Sequence, residues 1–171
     1  MTYGTLHQTD AGPQLRFVRQ LGHPPAKVWL ALTSAEHLSA WFPHTVVVDE
    51  WKPGAPLHFT LVRGDSFDGE VIEVEEERVL EFRWGTDYIR FELVPDGDGT
   101  QLTLIDTMDE LGKAARDGAG WHVCLDQLER HLDATSTDES MPDQWRRVHA
   151  AYVEQFGPEA SAIGPPAGAL D

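Results

Sequence analysis

Cysteine is almost missing from this chain: one of its 171 residues, Cys124, carries a thiol. A lone Cys closes no disulfide within the chain and supplies no thiolate cluster for zinc, so neither device is expected to hold the fold. Long apolar runs are absent as well. No stretch approaches the roughly 18 consecutive apolar residues of a spanning helix, and MTYGTLHQTDAGPQ at the start lacks the basic and apolar regions of a secretory signal, so a cytoplasmic protein is expected. Basic residues are scarce, 13 Lys and Arg against 29 Asp and Glu, a formal charge of −16. Such a body repels nucleic acid and anionic membrane surfaces, and neither is expected as a partner. The sequence has no GxSxG, P-loop, GxGxxG or CxxC, and its eight histidines show no HxH or HExxH spacing. A nucleophile-based enzyme therefore has no support, and no metal or other cofactor is expected. The acid run Glu75, Glu76, Glu77 does not change this, because successive strand residues point to opposite faces and cannot converge on one ion.

What is present suffices for one globular domain, with 41% hydrophobic residues and six Trp. In GAGWHVCLDQLERHL, residues 118 to 132, Trp121, Cys124, Leu125, Leu128 and Leu132 form one apolar stripe of a helix, and Asp126, Gln127, Glu129 and Arg130 fill the opposite face. Asp109 is a fair N-cap, so the helix is expected from near Glu110 to about Leu132. Glycines at 112, 118 and 120 each cost about 1 kcal/mol in a helix, which predicts a first half that is kinked, irregular or pressed against another backbone.

Residues 1–12 read as a polar lead-in, and QLRFVRQL as a first strand. After His23, Pro24 and Pro25 come two short helices, over Ala26 to Leu32 and over AEHLSAWF, ended by Pro43. From Thr45 the period becomes two. VVVDEW, LHFTLV, Gly69 to Glu76, Val79 to Trp84, YIRFELV and TQLTLIDTM are strands; Arg63 to Asp68 makes one hairpin connection, and PDGDG is the strongest turn signal. The expectation is an α+β fold: a curved antiparallel sheet of about seven strands, two short helices after the first, and a long C-terminal helix lying on the sheet. DATSTDES is a linker, PDQWRRVHAAYVEQF a further helix packed on the outside, and the residues after Gly157 a disordered tail. The expected divisions are therefore 1–12, 13–133, 134–157 and 158–171.

PPAKVWLALTSAEHLSAWF, the GxVxEV of Gly69 to Val74, LEFRW from Leu80 to Trp84, and GWHVCLDQLERHL occur in an order that resembles the activator of heat-shock-protein-ninety ATPase homologue-like family. That family belongs to the SRPBCC superfamily, which shares the helix-grip fold with START lipid-transfer domains, polyketide cyclases and the birch pollen allergen. The resemblance covers roughly Gln14 to Leu132 and is specific to a fold, not to an activity. It implies a cavity between sheet and helix.

Strand alternation then names the side chains that face such a cavity. Leu80, Phe82 and Trp84, then Ile89, Phe91 and Leu93, then Leu102, Leu104, Asp106 and Met108 point inward, and the helix adds Trp121, Cys124, Leu125 and Leu128. An apolar, aromatic lining suits a small hydrophobic molecule, with Phe82, Trp84, Phe91, Leu104, Asp106, Trp121, Cys124, Leu125 and Leu128 as its expected contacts. The alternative for each is plain core packing. Asp106 is the polar exception and must be paired, hydrogen-bonded or protonated if buried. If the cavity does chemistry, it is of the cyclase or hydrolase kind, with Asp106 or His58 moving a proton, and His122 could also approach the mouth. A third reading, by the resemblance, is a co-chaperone-like module with a protein partner; against it, Glu81, Arg83, Arg90 and Glu92 read as an ordinary solvated face. Self-association through a sheet edge or the C-terminal helix stays open.

Overall fold

Alternating apolar residues can bury one face of a strand, and a chain with this many such segments must lay them on a common core. A computed structural model describes residues 2–61, 64–166 and 170. Its elements are β1 (Thr5–Thr9), β2 (Gly12–Leu21), α1 (Pro25–Thr33), α2 (Ala35–Trp41), β3 (Thr45–Val47), β4 (Pro56–Thr60), β5 (Ser66–Glu75), β6 (Val79–Trp84), β7 (Asp87–Asp96), β8 (Gly99–Thr107), α3 (Ala114–Asp133) and α4 (Met141–Phe156). The strands make one sheet in the order β1-β2-β8-β7-β6-β5-β4-β3, with every pair antiparallel. A register shift between Val71 and Glu73 bulges β5, which helps the sheet curve around α3.

The sheet has eight strands because residues assigned to the lead-in form β1, paired with β2 from Thr5↔Arg16 to Thr9↔Gly12. It is an edge strand with only Leu6 partly buried, so it shows no period of two. The long helix begins at Ala114, preceded by a 3₁₀ turn over Leu111–Lys113 rather than by a cap at Asp109. The expected stripe, Trp121, Cys124, Leu125, Leu128 and Leu132, is buried on the sheet side. The rear of α3 is also covered: Ala115, Ala119 and His122 are buried, and α4 lays Tyr152 and Phe156 against Gly118, where an added Cβ would stand 3.5 Å from the Phe156 ring. Gly118 thus meets aromatic rings and not another backbone.

The chain beyond Gly157 is folded over its described part, against the expectation of a disordered tail. Glu159–Ser161 form a 3₁₀ turn with Ala160 buried, and Ile163 N donates to Gly112 O at 3.0 Å. Residues 167–169 and 171, like Val62 and Arg63 of the expected β4–β5 connection, lie outside the described residues.

Between the sheet and α3 the space is occupied by side chains. The Phe42 ring centroid lies 6.1 Å from that of Phe59, 6.3 Å from Phe82 and 5.8 Å from Trp121, and Phe91 stands 6.0 Å from Trp41 and 6.4 Å from Phe82. Trp41 and Trp51 also anchor the first helix by donating to Ala31 O and Thr33 O at 2.9 and 2.8 Å. Burying each Phe contributes roughly 2–3 kcal/mol, so this aromatic cluster is a large part of what closes the sheet on the helices.

Candidate functional site

Free volume lies at the margin of that core. A cavity of about 430 Å³ opens beside the first half of α3, between Trp84 at the end of β6, Trp121, Cys124 and Gly120 on α3, Met141, Pro142 and Trp145 on α4, and Pro165, Pro166 and Leu170 of the C-terminal segment. Pro43 and His44, between α2 and β3, complete the wall, and Arg116 and Asp117 are its charged residues. Each wall has a local cause. The β6–β7 hairpin turns through Gly85 at φ +62°, which presents Trp84, the last inward residue of β6. Ser140 caps α4 by accepting from Asp143 N at 3.2 Å, and so sets Met141 and Trp145 over α3. Arg146 Nη2 donates to Leu170 O at 2.6 Å and holds the C-terminal segment against α4.

Behind the tryptophans sits a buried ionisable cluster. Asp87, Asp106 and Asp117 bring one carboxylate oxygen each within 4.8 Å of the others. Asp106 is fully buried, and its Oδ2 accepts from Trp121 Nε1 at 2.9 Å, which fixes that indole at the cavity. Burial first, and then the charges of Asp117 and Asp87, push the Asp106 carboxyl well above its usual range. Lys113 Nζ contacts Asp87 Oδ1 and Oδ2 at 2.7 and 2.9 Å, and Arg116 Nε donates to Asp117 Oδ1 at 2.7 Å. Burial raises Asp117 too, opposed by Arg116 and Lys113. The spacing of the three carboxylates would suit a cation, but Lys113 and Arg116 already stand on two of them.

A second buried network lies on the far side of α3. Arg19, an inward residue of β2, donates to Asp126 Oδ1 at 2.7 Å, and Gln144 Nε2 of α4 donates to Asp126 Oδ2 at 2.6 Å. Tyr152 Oη accepts from Gly4 N at 2.8 Å and shares a hydrogen bond with His122 Nδ1, 2.9 Å away. These bonds tie the N-terminus, β2, α3 and α4 into one body, and they use His122 as a structural group rather than at the mouth.

Of the residues expected to contact a ligand, Trp84, Trp121 and Cys124 line the cavity. Phe82, Phe91, Leu104, Leu125 and Leu128 are buried in the filled core, and Asp106 stands one layer behind Trp121. His58 is on the outer face of the sheet, its Nδ1 2.7 Å from Asp68 Oδ1, because Leu57 and Phe59 take the inner face of β4. It does not approach the cavity. Among the cavity residues not identified from sequence are His44, Asp117 and Trp145. Burial pushes His44 down to about 4, leaving a neutral imidazole, and pushes the Cys124 thiol up to about 12, leaving it protonated.

A curved antiparallel sheet closed around a long helix defines the helix-grip class. The chain belongs to the Activator of Hsp90 ATPase homolog 1-like protein family, whose model matches residues 22–133. That match ends before α4 and the C-terminal segment, which supply the outer cavity wall. Among solved structures, the chain is similar to the conserved protein of unknown function EF2215 from Enterococcus faecalis, at 21% identity and a TM-score of 0.72, covering 90% of each chain. It is likewise similar to CalU16 from Micromonospora echinospora, at 23% identity and a TM-score of 0.72, covering 90% of this chain and 96% of that one. MLL2253 from Mesorhizobium loti matches at 27% identity and a TM-score of 0.63, over 72% of this chain and 99% of that one. No curated protein matches the sequence.

Proposed function

We propose that the protein reversibly binds a small, largely apolar molecule, and that it does so in the cavity between α3, α4 and the C-terminal segment rather than between sheet and helix. The observation that carries this reading is the cavity itself: about 430 Å³, walled by three tryptophans, four prolines and a methionine. Pockets of this size and character suit drug-sized ligands. Catalysis has less support from the same geometry. Arg116 and Asp117 are paired with one another, Cys124 is protonated, and His58 is elsewhere. A protein-docking role has less support as well. On the outer sheet face Arg90 pairs with Glu73, Glu81 and Glu92 at 2.6, 2.8 and 3.2 Å, an ion-paired and solvated surface. A single buried thiol fits a cytoplasmic setting.

The test is titration with the neutral probe N-phenyl-1-naphthylamine, followed by its fluorescence. At about 0.3 kcal/mol per non-hydrogen atom, this ligand should bind with a Kd of about 0.2 mM. Gly120→Phe, which places a ring in the cavity, should abolish the signal. Equal binding by that variant would refute the assignment.

A further inference from the structure

An apolar cavity sorts its ligands by the few polar atoms that its wall leaves open. Several polar atoms of the lining residues are shut away from it. Trp84 Nε1, His44 Nδ1 and Asp117 Oδ2 are buried, and Asp117 Oδ1 is taken up by Arg116. Arg116 is the exception. Its Nε donates to Asp117 Oδ1 at 2.7 Å, while Nη1 and Nη2 bond to nothing among the described residues and stay open to water on a side chain that is 26% exposed. A guanidinium has five N–H donors, so one bond to Asp117 leaves the edge formed by Nη1 and Nη2 free.

We infer that the ligand is an apolar molecule carrying one carboxylate, and that the free Nη1/Nη2 edge of Arg116 holds that carboxylate at the cavity. This rests on the binding role proposed above and narrows its ligand class. Geometry and charge choose the group. Two parallel N–H bonds match the two oxygens of a carboxylate, and bonds between charged partners are about twice as strong as neutral ones, so a carboxylate gains more on this edge than a ketone or hydroxyl does. Asp117 does not oppose it at contact, because one of its oxygens is spent on Arg116 and the other is buried. Lys113 stands on Asp87 as Arg116 stands on Asp117, so the neighbouring charges are matched in pairs. The overall charge of −16 acts from further away, where salt screens it beyond about 8 Å. A dianion would bring a second charge without a second cation, since among the described residues Arg116 is the only Arg or Lys that lines the cavity. A cationic ligand would be repelled by it. The tryptophans, prolines and Met141 of the wall take the apolar body.

The probes are 2-naphthoate and 2-acetonaphthone, which have nearly the same shape and differ in that a methyl group replaces one carboxylate oxygen. Their affinities for the full chain can be compared by NMR titration, following the indole N–H signals of Trp84, Trp121 and Trp145. The carboxylate is much the more strongly hydrated, so a cavity without cationic recognition prefers the ketone. The inference expects 2-naphthoate to bind the wild type about 5-fold tighter or more, the discrimination that charge-assisted hydrogen bonds supply. Arg116→Gln, which keeps a donor for Asp117 and removes the charge, should reverse the order, and Arg116→Lys, which keeps the charge without the fork, should preserve part of the preference; thermal melts check that both variants are folded. The wild-type order is read without any variant. If the ketone binds the wild type as tightly or tighter, or if folded Arg116→Gln leaves the ratio unchanged, Arg116 serves only to pair Asp117. The inference then fails while the binding role stands. If neither probe moves the cavity tryptophans, both fail.

Discussion

Gly120 offers the sharpest check on the cavity, because it is read in stability as well as in binding. It lies within α3, it lines the cavity, and a Cβ built on it would find nothing within 4 Å. Glycine in a helix interior is less favourable than alanine by about 0.8–1 kcal/mol, chiefly through the backbone freedom it keeps when unfolded. With no clash to offset that gain, Gly120→Ala should stabilise the protein by about that amount. For a domain of this size the midpoint should rise by about 2–4 °C in thermal melts, and the urea midpoint should rise with an unchanged m-value. Gly69 is the contrasting case: its Cβ would overlap the Arg83 carbonyl, with the Phe59 ring 2.7 Å away. Gly69→Ala should therefore cost at least about 2 kcal/mol, as strand and ring are forced apart. A Gly120→Ala protein destabilised by more than about 0.5 kcal/mol would mean that the space beside Gly120 is filled, and the argument for a cavity there would be wrong.

Other outcomes follow from the buried polar groups. Asp106, raised in the folded state above its ordinary 3.8, keeps a proton that the unfolded chain loses, so its stabilising contribution is present below pH 3.8 and is lost as pH rises through its folded value. Asp106→Asn should remove that slope in urea titrations run across pH, while Asp106→Ala, which strands the Trp121 N–H, should cost about 2–4 kcal/mol at every pH. His122, pushed from 6.5 down to about 4 by burial, has the opposite sign: the unfolded chain takes up the proton first, so stability on the order of 2 kcal/mol is lost as pH falls from 6.5 towards 4. His122→Asn should unfold less steeply over that interval. Tyr152→Phe removes the acceptor for Gly4 N and the partner of His122, and should cost about 1–3 kcal/mol with faster amide exchange at Gly4.

How much of this was legible in the sequence depended on whether periodicity carried it. Strands whose inner residues are apolar, such as β6 with Leu80 and Phe82, declare their faces, and α3 declares the stripe that meets the sheet. β1 does not, because an edge strand exposed on both faces has no reason to alternate. The rear of α3 was misread for a related reason: Asp126 looks like part of a polar face and His122 like a residue near the mouth, but α4 covers both and pairs them with Gln144 and Tyr152. The inward list was right residue by residue, yet alternation tells which way a side chain points and not whether space remains in front of it. Phe82 and Phe91 meet other rings, whereas Trp84, at the strand end, borders free volume. Asp87 and Asp117 give no sequence signal: one follows a turn, the other opens a helix, and only tertiary folding brings them to Asp106. Asp106 was legible because it broke an apolar row.

The central claim concerns one place, and the six tryptophans can report on it separately. With 5-fluorotryptophan incorporated and each ¹⁹F resonance assigned by a Trp→Phe variant, addition of N-phenyl-1-naphthylamine should shift Trp84, Trp121 and Trp145 and leave Trp29, Trp41 and Trp51 in place. Shifts confined to the second set, or to none, would contradict binding in this cavity.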